Sequence, residues 1–195
     1  MVTTLILARH GETDWNREHR LQGWEDPPLN ALGRAQAVAL AESLRGEPIG
    51  RVVTSDLRRA AETADVVGAL LSVPVSVEWG LREVDLGSWS GRLRTEIEGR
   101  PRPDGESREE LRVRMVDAIE RIAACRPGET VLVVSHGGSL RSIELHVAGG
   151  DPRPLANCET IRLEARDGTL SLVRAAPLVP PLPLEADDAE MLDQG

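Results

Sequence analysis

Two histidines stand in matching company. His10 lies in Ala8-Arg9-His10-Gly11 and His136 in Ser135-His136-Gly137-Gly138, and each follows an apolar run, Leu5 to Ala8 and Val131 to Val134. Short apolar runs that stop at polar residues and glycine read as buried strands, so both imidazoles are expected at strand ends. A neutral imidazole is a nucleophile, and phosphorus is a natural target for it. Arg9 offers a forked, charge-assisted clamp for a phosphoryl group. Gly11 is expected to turn the backbone and leave room for a ligand. After His136 a helix is expected to begin at Gly137-Gly138, and free N–H groups at such a start form an anion site. His136 can donate a hydrogen bond to a phosphoryl oxygen and, when protonated, neutralise its charge.

Two further segments carry suitable groups. In Ser55-Asp56-Leu57-Arg58-Arg59-Ala60 both arginines fall in the first turn of a helix. Cations there oppose the helix dipole unless an anion is present, a weak pointer to phosphate. In Leu81-Arg82-Glu83-Val84-Asp85-Leu86-Gly87, Glu83 and Asp85 sit in a glycine-containing loop. A carboxyl group there could protonate a leaving oxygen and then activate water.

These groups need a frame that brings distant segments together. Strands are expected at Val2–Ala8, Val52–Val53, Val73–Val77 and Thr130–Val134. Ile161–Leu163 and Leu170–Val173 read as a hairpin around Asp167-Gly168. Apolar residues recur at helical spacing over 31–45, 57–71 and 107–124, and a further helix runs to about Ala148. Asn30 is the expected cap of the first helix and Gly46 its stop. Alternating strands and helices predict an α/β fold, a mainly parallel sheet with helices on both faces. Ligands of such sheets sit beyond the carboxyl ends of the strands, where Arg9-His10, Ser55-Asp56 and Ser135-His136 all fall.

Composition narrows the classes. The chain has 195 residues, enough for one domain with a sizeable core, expected over 1–176. Residues 177–195 hold four prolines and five acidic residues and are expected to form an extended or disordered tail. The net charge of -9 and an aromatic content of 2% argue against nucleic acid and anionic membranes as partners. All 23 basic residues are arginine, which excludes a lysine Schiff base and a P-loop lysine; GC-rich coding accounts for that bias. Cys125 and Cys158 have no zinc-ligand spacing and are expected to be free, buried thiols, in keeping with a reducing cytoplasm. Leu5–Ala8 is too short for a membrane span or a signal segment.

Arg9-His10-Gly11-Glu12-Thr13-Asp14-Trp15-Asn16, Arg20-Leu21-Gln22-Gly23-Trp24, Ser55-Asp56-Leu57-Arg58-Arg59-Ala60, Leu81-Arg82-Glu83, Asp104-Gly105-Glu106-Ser107 and Val133-Val134-Ser135-His136-Gly137-Gly138 occur in the order of a known family. Over about Leu5 to Asn157 the chain resembles the histidine phosphatase superfamily, in its phosphoglycerate-mutase-like branch. The resemblance implies a three-layer α/β/α sandwich. It implies that His10 becomes phosphorylated, that Arg9, Arg59 and His136 complete the phosphate pocket, and that Glu83 is the proton donor, with Asp85 a weaker stand-in. Arg59 is preferred to Arg58 because it directly precedes Ala60. Asn16 and the backbone of Gly137 resemble accessory phosphate contacts, with Gln22 and Gly23 lining the same pocket. His19 and His146 match no motif and default to structural roles. The implied substrate is a small phosphate ester, and no metal or other cofactor is expected. Homodimers are common among soluble enzymes, and the sequence leaves that point open.

The same resemblance weighs the reaction. Mutases carry a long insertion after the Glu loop, whereas only residues 92–106 fill that stretch here, and they typically have Thr where Gln22 precedes Gly23. A phosphatase is therefore expected. A mutase and a non-catalytic binding protein are the alternatives. The 92–106 segment is shorter than the lid of the small phosphatases and carries Arg92, Arg94, Arg100 and Arg102. If these face the site, the substrate is bulky or multiply anionic.

Overall fold

The computed structural model describes residues 1–150 and 152–173. The expected tail, 177–195, lies outside the described residues, as do 174–176. Six strands form one sheet: β1 (Val2–Arg9), β2 (Ile49–Thr54), β3 (Val75–Val77), β4 (Thr130–Ser135), β5 (Thr160–Arg166) and β6 (Thr169–Val173). Their order is β3-β2-β4-β1-β5-β6. The first four are mutually parallel, and β5 and β6 extend the sheet antiparallel at one edge. The helices are α1 (Asp14–Arg17), α2 (Ala31–Ser43), α3 (Arg58–Leu71), α4 (Arg94–Ile97), α5 (Arg108–Ala124) and α6 (Gly137–Ala148).

Strand alternation splits the apolar residues into two layers. Leu5 and Leu7 of β1, with Val131 and Val133 of β4, pack on Met115 and Ile119 of α5 and Leu140 of α6. Ile6 and Ala8, with Leu132 and Val134, pack on Leu40 of α2, Leu44 at its C-cap, and Ala64 and Val67 of α3. Each fully buried Leu or Ile contributes about 1.5–3 kcal/mol. The chain is therefore a three-layer α/β/α sandwich. Without Phe or Tyr, aliphatic side chains fill most of both layers, joined by Met115 in one and Cys158 in the other.

Local signals set the boundaries. Asn30 Oδ1 accepts the Gly33 N–H at 2.8 Å and caps α2, and Ser107 with Glu110 forms a capping box on α5. The third strand is shorter than its apolar run because Pro74 interrupts it. Pro74 has no N–H for the ladder, and only its carbonyl serves, accepting Val52 N–H at 2.9 Å. Val73 instead donates to Gly68 and closes α3. The hairpin turns at Asp167-Gly168, both at positive φ, as expected. Cys158 is buried, but Cys125 is exposed, contrary to expectation. It stands at the C-cap of α5, past the stripe that α5 buries.

Candidate active site

The sheet register sets the centre of the site. Arg9 ends β1 and Ser135 ends β4, and the two are directly paired. The next residue on each strand is a histidine, so His10 and His136 emerge side by side with ring centroids 5.2 Å apart. His10 N–H donates to the Ser135 carbonyl at 3.0 Å and ties the strand ends together. His10 is 3% exposed, Arg9 7%, and Arg59 and His136 0%. His10 Nδ1 lies 2.7 Å from the Gly11 carbonyl, which can only accept, so Nδ1 carries the proton and Nε2 keeps its lone pair.

Loops hold the cations in place. Arg9 donates to the Leu155 carbonyl at 2.7 Å, and Asn157 Nδ2 donates to the His10 carbonyl at 2.9 Å. Arg59 reaches back from α3 and donates to the Glu25 and Gly23 carbonyls at 2.8 and 2.9 Å. Gly23 has φ of +49° and serves as that acceptor; a Cβ there would lie 2.7 Å from Ser90 Oγ. Arg58, by contrast, points to solvent and pairs with Glu62 at 2.6 Å. Asp26 Oδ1 accepts the Arg58 N–H at 2.5 Å, so the start of α3 has a carboxylate of its own. That removes much of the dipole frustration expected there.

Burial and the neighbouring cations set the charge states. Burial, then Arg59 and Arg9, push the His10 imidazole well below its ordinary range. Burial, then Arg59, His10 and Arg9, do the same to His136. Burial lowers Arg59 to about 10, so it remains a cation at neutral pH.

The Glu83 carboxylate, carried on its loop, meets the first turn of α6. Its Oε2 accepts Gly138 N–H at 3.0 Å, and its Oε1 accepts Ser139 N–H at 3.1 Å and Ser139 Oγ–H at 3.2 Å. The Gly137 N–H, first in the helix, is not engaged by Glu83. A Cβ at position 138 would lie 2.6 Å from Glu83 Oε1 and would push that carboxylate end aside. Asp85 turns into its own loop and accepts Gly87 N–H at 2.9 Å.

Arg9, His10, Arg59, Glu83 and Gly137 line one cavity of about 750 Å³, together with Asn16, Gln22 and Gly23. His136 stands just behind the lining. Asn16 commits its Oδ1 to Thr13, at 3.1 Å from both Thr13 N and Oγ1, which leaves its NH2 group to donate. Both ring nitrogens of His136, Arg59 Nε and Gln22 Oε1 are buried with no hydrogen-bond partner among the described residues. The neutral His136 ring supplies one N–H donor and Arg59 Nε another, and leaving them unmatched is costly unless a ligand takes them up. A tetrahedral oxyanion fits such a set.

Gly11 departs from expectation. Its φ is ordinary, and a Cβ there would lie 2.4 Å from the Gly33 carbonyl, so it makes room for α2 and not for a ligand. His19 and His146 are both exposed and away from the cavity. Of the four arginines of 92–106, Arg94 and Arg102 line the cavity and Arg92 and Arg100 do not. Arg20, Arg108 and Arg141 also line it, and no spacing in the sequence singled them out. Ser139 was readable as a residue of the first turn after Gly137-Gly138. Among the described residues no group of three or more His, Cys, Asp or Glu side chains could hold a metal ion. Nor is any helix among them long and apolar enough to cross a membrane.

Fold and site together define an α/β protein with a cavity lined by arginine and histidine at its parallel strand ends. The chain belongs to the histidine phosphatase superfamily, branch 1, whose family model matches residues 5–176. A metal-independent phosphoserine phosphatase of Arabidopsis thaliana is 39% identical over 165 residues, covering 75% of this chain and 69% of that protein. A probable phosphoglycerate mutase of Yersinia enterocolitica is 31% identical over 183 residues, covering 84% and 85%. The structure of a mycobacterial glucosyl-3-phosphoglycerate phosphatase complexed with VO3 superposes with a TM-score of 0.79 at 29% identity, covering 87% of this chain and 96% of that one.

Proposed function

We propose that this chain is a metal-independent phosphomonoesterase that works through a phosphohistidine on His10, with Glu83 as general acid and base. The observation that carries the reading is the His10 Nδ1 contact to the Gly11 carbonyl at 2.7 Å. It leaves Nε2 as an unprotonated nucleophile between two buried arginines. Nε2 attacks phosphorus in line, the ester P–O bond breaks, and Glu83 in its acid form gives the leaving oxygen a proton. Arg9, Arg59, His136 and the Gly137 N–H hold the transferring oxygens, where charge gathers in the transition state. Asn16 and Gln22 add polar contacts. Water then attacks phosphorus, Glu83 takes a proton from it, the P–N bond breaks, and inorganic phosphate leaves with His10 neutral again.

The short 92–106 segment supports hydrolysis over mutase-type transfer, because little chain covers the phosphohistidine against water. The names of two similar proteins describe substrates that carry a carboxylate beside the phosphate, phosphoserine and glucosyl-3-phosphoglycerate. Arg20, Arg94, Arg108 and Arg141 line the same cavity and support a small substrate with such a second anionic group. The two free cysteines support a cytoplasmic location.

Turnover of p-nitrophenyl phosphate in excess EDTA tests the reading. We expect wild-type activity to survive EDTA and His10→Ala to lose at least about 10⁴-fold, the scale seen when a nucleophile is removed. Activity abolished by EDTA, or retained in His10→Ala, would refute it.

A further inference from the structure

We infer that Arg114 of α5 is a positioning residue for Glu83, fixing the loop from which that carboxyl group reaches the cavity. The inference rests on the reading of Glu83 as proton donor. Loop glutamates have backbone freedom, and a displacement of about 1 Å from the productive geometry costs roughly 10²-fold in rate. In this loop the freedom is removed one carbonyl at a time. Arg114 donates to the Gly80 and Arg82 carbonyls, both at 2.9 Å, and to the Glu83 carbonyl at 3.2 Å. The Leu81 carbonyl accepts from Ser135 Oγ at 2.7 Å, and the Arg82 carbonyl also from Ser139 Oγ at 2.8 Å. Trp24 Nε1 adds a second donor to the Glu83 carbonyl at 2.8 Å. Four consecutive carbonyls are thus held by side chains, and one guanidinium reaches three of them.

Arg114 is itself fixed. Glu106 takes two of its N–H groups, at 2.7 and 2.6 Å. The pair is nearly buried, at 11% and 12% exposure. The Trp79 ring lies 5.5 Å from the guanidinium carbon. A planar fork of five donors can span a carboxylate and three carbonyls; an ammonium cannot. A purely structural buried ion pair would have no reason to aim its remaining donors at the residues flanking Glu83.

The test compares two leaving groups. p-Nitrophenolate departs without help from an acid, whereas phenolate needs a proton more. kcat/KM reads only the steps through P–N bond formation, so the later use of Glu83 as base does not enter. We expect Glu83→Gln to lose about 10²-fold or more on phenyl phosphate and far less on p-nitrophenyl phosphate. Arg114→Gln should show the same split, about 30-fold against under about threefold. Trp24→Phe, which keeps an aromatic ring but removes the indole N–H donor, should show a smaller split of the same sign. It also serves as the test if Arg114→Gln does not fold. Equal losses on both substrates in Glu83→Gln would overturn the Glu83 reading itself. A split in Glu83→Gln with equal losses in Arg114→Gln, or in Trp24→Phe where that variant stands in, would overturn the inference alone.

Discussion

The floor of the cavity and its outer wall both use arginine, and they hold it in opposite ways. On the floor, Arg59 is fully buried and its terminal nitrogens are tied to the Gly23 and Glu25 carbonyls. On the wall, Arg108 is exposed at the start of α5. Burying a cation costs several kcal/mol, and a fold that spends this needs an anion to recover it. A solvated arginine costs almost nothing and carries no such implication. The proposed chemistry therefore belongs to the floor, and the proposed choice of substrate belongs to the wall.

Neighbouring arginines on α3 give the sharpest way to break this comparison. Arg58→Met removes an exposed charge and an exposed ion pair to Glu62, and we expect kcat/KM to stay within about twofold. Arg59→Met keeps much of the buried volume but removes the charge from the floor. It should cost roughly 10²–10³-fold, as removal of an oxyanion donor does. Equal losses in the two variants, read in steady-state kinetics, would erase the distinction between floor and wall.

The floor also predicts how stability depends on pH. His10 and His136 are both held well below 6.5 by burial and by the arginines. Below that pH the unfolded chain binds protons that the folded chain does not, so unfolding is favoured as pH falls from about 6.5 toward the folded values. Above 6.5 the two groups contribute nothing to the slope. Each can contribute up to about 1.4 kcal/mol per pH unit in that window. Bound phosphate offsets the arginine charges and gives His136 an acceptor, so it should raise the His136 value and flatten the slope. Thermal unfolding at pH 7.5 and 5.5, with and without saturating inorganic phosphate, checks both signs. A midpoint independent of pH in the free protein would show that the floor is not the dry, cationic site described.

Much of the floor was legible because strand ends and helix starts are local. Arg9-His10 and Ser135-His136 each interrupt an apolar run, and parallel pairing of β1 with β4 then brings them together. The choice of Arg59 over Arg58 came from the resemblance; α3 turns Arg59 inward and Arg58 out. What the sequence hid depends on contacts between segments far apart along the chain. Gly11 answers to Gly33, which lies on another element, so its reason could not be read at position 11. Arg114 looks like any charge on an amphipathic helix until the 80–83 loop is folded against it. Cys125 continues the helical stripe in spacing, but α5 ends one residue earlier.

The wall gives the smallest effect and separates two uses of one arginine-rich stretch. Arg94 and Arg108 line the cavity, while Arg92 and Arg100 of the same region do not. An exposed charge contact is worth at most about 1 kcal/mol, or roughly fivefold in affinity. Arg94→Gln with Arg108→Gln should therefore raise KM for phosphoserine by about fivefold and leave kcat unchanged. p-Nitrophenyl phosphate, which has no second anionic group, should respond by less than about twofold. Arg92→Gln with Arg100→Gln should leave both substrates alone. The KM effect should also shrink as salt approaches 0.5 M, because solvated charges are screened within a few ångströms there. A fall in kcat on p-nitrophenyl phosphate in the first double variant would mean that the wall helps hold the floor, and that the two regions are one.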